Sequence, residues 1–189
     1  MANKRAFIIH GWMGAPHDGW FPWLKDRLED VGFDVLSLEM PDNEDPQIGP
    51  WIARLAGAVG VPDEQTYFIG HSVGGQTILR YLASLDGRKV GGVVCVATWF
   101  PIMNLKEEAD IATAKPWTET PVDFAAVLRA TGNITAIFSD NDPWVPLQAN
   151  REIFERELKA KIIVESNKGH LSGADGITEL PSVLESLQK

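Results

Sequence analysis

The chain has 189 residues, 44% of them hydrophobic and 23% charged, which suits one globular domain over residues 1–189 and excludes a disordered or fibrous chain. A formal net charge of −9, with no cluster of Lys and Arg, argues against a nucleic-acid partner. No apolar run nears the ~18 residues of a membrane span, residues 6–9 are too short for a signal-peptide core, and the single Cys95 leaves no internal disulfide, so a cytoplasmic protein without a membrane partner is expected.

Short β-rich runs alternate with longer amphipathic stretches. Residues 6–9, 35–38, 67–69, 90–97, 134–138 and 161–164 read as strands, most of them continuous apolar runs, as strands covered on both faces are. Between them, residues 22–31, 50–59, 74–85, 122–131 and 147–160 read as helices, and a last helix begins near Pro181. Pro22, Pro50 and Pro181 suit first-turn positions, where a missing N–H costs nothing. This alternation predicts an α/β fold of about six mostly parallel strands with helices on both faces. Residues 99–121, "WFPIMNLKEEADIATAKPWTETP", are the least regular stretch. They read as a small cap or mobile loop, or equally as a surface excursion with one short helix over residues 105–114.

In an open parallel sheet the ligand site lies beyond the carboxyl ends of the strands. The residues there are His10-Gly11-Trp12 after the first strand, His71-Ser72-Val73-Gly74 after the third, Thr98-Trp99-Phe100 after the fourth, Ser139-Asp140-Asn141-Asp142 after the fifth and Lys168-Gly169-His170 after the sixth. A nucleophile, two acids and a base therefore share one edge, in the chain order Ser, Asp, His of the nucleophile-elbow hydrolases.

The spacing in "GHSVGG" has a chemical reason. A serine hydroxyl is a weak nucleophile that needs a base within hydrogen-bond reach and a tight turn to present it. Gly70 and Gly74 flank that turn, where a Cβ would collide with neighbouring backbone. The following helix aims its first N–H groups beside Ser72, so the Val73 amide is placed to donate to a developing oxyanion. A second donor is expected from the loop after the first strand, through the backbone N–H of Trp12. The competing reading is a glycine-rich turn whose serine only caps the helix.

Of the four histidines, His170 is the candidate base, because its glycine-containing loop can bring an imidazole to Ser72. His71 adjoins the serine, where successive side chains diverge, and is expected to pack or hydrogen-bond locally. His10 is expected to orient the loop carrying Trp12, and His17 is a candidate substrate contact or a solvated loop residue. Asp140 and Asp142 both follow the fifth strand, and either can fix the tautomer of His170, though Asp also closes turns. Trp99, Phe100 and Trp144 are candidate walls of an aromatic pocket, with core packing as the alternative. Trp23 and Trp51 lie on amphipathic helices and are expected in the core.

Taken together, "IIHGWMG", "WFPWLKDRL", "GHSVGG", "DPWVP" and the late "GH" resemble the small α/β-hydrolase family of retinoblastoma-binding protein nine and its bacterial serine-hydrolase relatives, over nearly the whole chain. The resemblance implies a minimal α/β-hydrolase fold with no large cap domain. It implies a serine hydrolase for small acyl substrates, carboxylic esters above all, with no metal or organic cofactor. In that family the acid stands three residues before the Val of a Val-Pro pair, which selects Asp142 over Asp140 and gives Ser72, Asp142 and His170 as the catalytic set. The L-x-C-x-E type motif behind the vertebrate member's name has no counterpart around Cys95 in "VVCVAT", so the pocket-protein interaction is not carried over. An interaction module without turnover is the rival from another class, and acyl transfer, thioester or amide cleavage are rivals within the enzyme class. The chain has no G-x-x-x-x-G-K-[ST], no G-x-G-x-x-G and no H-E-x-x-H, so nucleotide and metal chemistry find no motif.

Overall fold

The computed structural model describes residues 4–187. Six strands, β1 (Lys4–Ile9), β2 (Phe33–Leu38), β3 (Thr66–His71), β4 (Gly92–Val96), β5 (Ile134–Ser139) and β6 (Lys161–Glu165), form one sheet in the order β2-β1-β3-β4-β5-β6. Every neighbouring pair is parallel. The helices are α1 (Phe21–Asp30), α2 (Ile48–Val59), α3 (Val73–Ala83), α4 (Glu108–Glu119), α5 (Phe124–Ala130), α6 (Leu147–Arg156) and α7 (Pro181–Leu187).

The strand periodicity of two builds two cores from one sheet. On β1, Phe7 and Ile9 join a core with Trp51 and Leu55 of α2, Leu79 of α3 and Phe154 of α6. The intervening Ala6 and Ile8 face the other way and pack with Leu24 and Leu28 of α1 and Val183 of α7. Helix α1 buries Phe21, Leu24 and Leu28 at spacings of three and four, with Pro22 in its first turn where no N–H is needed. Leu24 and Leu28 have no exposed surface, and each such side chain contributes ~2 kcal/mol. Helix α3 is buried along its length from Val73 to Leu82, because it is wedged between α2, α5 and the sheet.

The chain runs from β1 outward to β2, then returns to place β3 on the other side of β1. That reversal opens a crevice between the carboxyl ends of β1 and β3. Ser72 follows β3 directly, and Gly11 and Trp12 follow β1.

Residues 99–121 differ from both readings of the sequence. Their helix is α4, starting three residues later than expected and continuing through Pro116. A proline there leaves the fourth preceding carbonyl without its helical donor, yet the helix is anchored by Trp117. That ring is 1% exposed, donates from Nε1 to the Pro46 carbonyl at 2.8 Å and meets Trp51 edge to face. Trp51 lies in the core as expected, whereas Trp23 on α1 is only partly buried against the second core; Trp20, just before α1, is fully buried there.

Candidate active site

The turn between β3 and α3 carries Ser72 at φ 54°, ψ −124°, a strained conformation for a residue with a Cβ. Backbone contacts impose it. The Ser72 N–H donates to the Val96 carbonyl at 2.8 Å, and the Gly75 N–H donates to the Ser72 carbonyl at 3.1 Å. A Cβ on Gly70 would stand 2.5 Å from the Gly75 nitrogen, and one on Gly74 would stand 2.5 Å from the carbonyl oxygens of Ile9 and His10. The serine makes no side-chain cap to α3. Instead its Oγ accepts a hydrogen bond from Trp99 Nε1 at 3.1 Å.

His170 and Asp142 meet across two loops. His170 Nδ1 donates to Asp142 Oδ2 at 2.7 Å, and both residues are buried, at 9% and 8% exposure. The other carboxylate oxygen, Oδ1, accepts from the amides of Trp144 at 2.9 Å and Val145 at 3.0 Å. Three donors thus fix the carboxylate, and a proton held on Nδ1 leaves Nε2 of the neutral imidazole as an acceptor. Asp140 takes the other role considered for it. It is exposed and closes the junction with β6, accepting from the Asn167 amide at 2.7 Å and the Ser166 hydroxyl at 2.8 Å. Those hydrogen bonds, the Asn167 amide first, hold its carboxyl below the usual range.

Two further groups hold the base, and neither was anticipated. His71 does not bond locally: its Nε2 donates to the His170 carbonyl at 2.8 Å, and the two rings lie 4.9 Å apart, edge to face. Burial, followed by the neighbouring His170 charge, pushes its pKa down to about 3, so the folded protein holds it neutral well below the ordinary histidine range. Asp175 Oδ2 accepts from the His170 amide at 3.0 Å and from the amide and hydroxyl of Ser172. The Ser-x-x-Asp spacing of a capping box was the sequence signal for this contact. His10 does brace the first loop: Nδ1 donates to the Gly11 carbonyl and Nε2 accepts from the Met40 amide. Burial lowers its pKa.

Around Ser72 and His170 lies an open cavity of about 750 Å³ walled by Trp12, His17, Trp99, Ile102, Leu105 and Trp144. Trp144 is 41% exposed and stands edge to face with the His170 ring at 5.1 Å. Phe100 corrects the expectation: it does not line the cavity but turns into the core against Phe124 and Phe154. Ile102 and Leu105, two residues of the irregular segment, supply apolar wall in its place. At the rim the turn after β1 is closed by the Met13 amide on the Asn43 carbonyl and the Gly14 amide on the Gly11 carbonyl, and among the described residues the Trp12 amide meets no backbone carbonyl. The Val73 amide opens α3, where a helix has no internal acceptor. Among the described residues no three His, Cys, Asp or Glu side chains form a group able to hold a metal, and no helix is long and apolar enough to cross a membrane.

A parallel sheet with a serine on a strained strand-to-helix turn, and a histidine and acid on later loops of the same edge, defines the α/β-hydrolase class. Within it the chain belongs to the serine hydrolase family, whose model matches residues 6–189. It is 29% identical to the YdeN protein of Bacillus subtilis, over 98% of this chain and 95% of that protein. It is 27% identical to the serine hydrolase RBBP9 of Rattus norvegicus, over 97% and 95% respectively. The crystal structure of the B. subtilis ydeN gene product superposes with a TM-score of 0.87 at 28% identity, covering 97% of this chain and 96% of that one. Est1E from Butyrivibrio proteoclasticus, solved with ferulic acid bound, shares the fold at a TM-score of 0.74 and 17% identity, over 98% and 90% of the two chains.

Proposed function

We propose that this serine hydrolase cleaves small carboxylic esters through an acyl-enzyme on Ser72, with His170 as general base, Asp142 as its orienting acid, and the Trp12 and Val73 amides as the oxyanion hole. The observation carrying this reading is the 2.7 Å hydrogen bond that sets the His170 tautomer, in a ring that walls the same cavity as the strained Ser72. Ser72 Oγ attacks the acyl carbonyl as its proton passes to His170 Nε2, and the carbonyl π pair moves onto oxygen. The oxyanion then collapses, the bond to the leaving alkoxide breaks, and His170 returns the proton to it. Water repeats the sequence on the acyl-enzyme and frees the acid. Asp142 keeps its hydrogen bond to Nδ1 and stabilises the imidazolium as it forms.

The cavity's indole and aliphatic walls suit an apolar acyl group. None of these steps draws on a metal or organic cofactor. The single Cys95 leaves no internal disulfide, which suits a reducing cytoplasmic setting. The test is hydrolysis of p-nitrophenyl acetate and butyrate by the purified protein against His170→Ala. Wild-type turnover at least a hundredfold above the variant is expected. Equal rates would instead favour an interaction module on the hydrolase fold.

A further inference from the structure

We infer that Trp99 is a further catalytic side chain, whose indole N–H stabilises charge on the Ser72 hydroxyl oxygen; this rests on Ser72 being the nucleophile. A buried indole needs a partner for its N–H, and four other tryptophans of this protein show the usual partner. Trp20 donates to the Leu171 carbonyl, Trp51 to Pro41, Trp117 to Pro46, and the cavity-lining Trp12 to Glu44. Each of those four bonds ends on a main-chain carbonyl. Trp99, 1% exposed, gives its N–H to Ser72 Oγ instead.

The backbone that carries the indole is also pinned by buried side-chain hydrogen bonds. Gln76 Nε2 donates to the Trp99 carbonyl at 2.6 Å, Asn150 Oδ1 accepts from the Phe100 amide at 2.7 Å, and Asn150 Nδ2 donates to the Pro101 carbonyl at 3.0 Å. Gln76 and Asn150 have no exposed surface. Gln76 is oriented in turn by Arg80, whose Nη2 donates to Gln76 Oε1 at 3.0 Å and to the Trp117 and Thr120 carbonyls at the end of α4. Two buried amides and a buried guanidinium thus fix the backbone on which the indole stands. A preorganised donor of this kind costs no reorganisation when charge develops.

The chemistry follows from the donor inventory. A serine hydroxyl has one proton and two acceptor lone pairs, and an indole donates only. With one lone pair on Trp99, the O–H is left for His170 and the other pair for the acyl carbon. As the proton leaves for His170 Nε2, negative charge grows on Oγ beside the indole N–H, which keeps its own proton. In deacylation the C–Oγ bond breaks, its electron pair returns to Oγ, and the same N–H stabilises that charge until His170 supplies the proton. Both half-reactions therefore use the contact.

Trp99→Phe keeps an aromatic ring while removing the N–H donor together with the pyrrole half of the indole, and the KM and pH-profile readouts separate the lost donor from lost packing. Stopped-flow labelling by a fluorophosphonate, and p-nitrophenyl butyrate turnover, should both slow about tenfold, as the loss of one such hydrogen bond implies. KM should stay within about twofold, and the acidic limb of the kcat/KM profile should not move, because His170 is untouched. Rates within twofold of wild type would overturn the inference while leaving Ser72 as nucleophile. A displaced acidic limb would overturn it too, by placing the effect on His170. A wild-type protein that takes no label at Ser72 would remove both the inference and the reading beneath it. Should Trp99→Phe not fold, the indole N–H resonance of Trp99 serves instead. It should shift upfield when Ser72 is phosphonylated and its oxygen becomes a poorer acceptor, and an unmoved resonance would overturn the inference.

Discussion

The nucleophile turn and the loops carrying acid and base are built in opposite ways. Around Ser72, geometry comes from backbone against backbone: glycines at 70 and 74 let β3, α3 and the end of β1 approach, and no side chain caps the helix. Around Asp142 and His170, geometry comes from side-chain acceptors. Asp142 gathers two amides and an imidazole, Asn141 Oδ1 takes the Gly169 amide and Ser139 hydroxyl, and Asp175 takes the His170 amide. One region should break when an atom is added, the other when an acceptor is removed.

The largest effect belongs to the second region. Asp142→Asn keeps the shape of the carboxylate but reverses the preferred imidazole tautomer, and kcat for p-nitrophenyl butyrate should fall about 10⁴-fold with the melting temperature little changed. A loss below tenfold would mean that another group orients His170. Next, Gly74→Ala should cost roughly 3 kcal/mol by overpacking and lower Tm by about 10 °C, since the carbonyls of Ile9 and His10 cannot retreat. A melt within 2 °C of wild type would show that the elbow is looser than its contacts indicate.

His71 joins the two regions, and its effect is on pH dependence. Its folded pKa of about 3 lies below the ordinary histidine value of 6.5, so between those values the unfolded chain binds a proton that the folded chain refuses. Stability should therefore fall on acidification through that window, by up to about 1.4 kcal/mol per pH unit from this group. His71→Gln should flatten the slope of urea midpoints from pH 6.5 downward, and an unchanged slope would contradict the assignment. The smallest effect is Asp140→Asn, two residues from Asp142 yet outside the site. Its kcat should stay within twofold, and its depressed carboxyl contributes stability only above the usual carboxylate range, lost as pH falls through the folded value.

The same contrast explains what could be read in the residues. The elbow was legible because backbone sterics write themselves as glycines at fixed offsets, and the strand edges followed from apolar runs. The acid was not settled by the residues around it, because Asp140 and Asp142 both follow β5; a family resemblance chose Asp142, and the hydrogen bond to His170 now supports that choice. Contacts across the chain left weaker marks. Nothing near Trp99 signals a donor to a residue 27 positions earlier, or near His71 a bond to a carbonyl 99 positions later. Phe100 misled because its neighbour lines the cavity, while one residue further along the chain turns into the core. Helix α4 runs past the expected end at residue 114 and through Pro116 because Trp117 and Arg80 supply tertiary anchors there, which no local pattern announces.

Intact-mass measurement after incubation with a fluorophosphonate tests the central claim most directly. The wild-type protein should gain one adduct per chain, localised to Ser72 by peptide mapping and absent from Ser72→Ala. No adduct on the native wild type, or an equal adduct on Ser72→Ala, would contradict it.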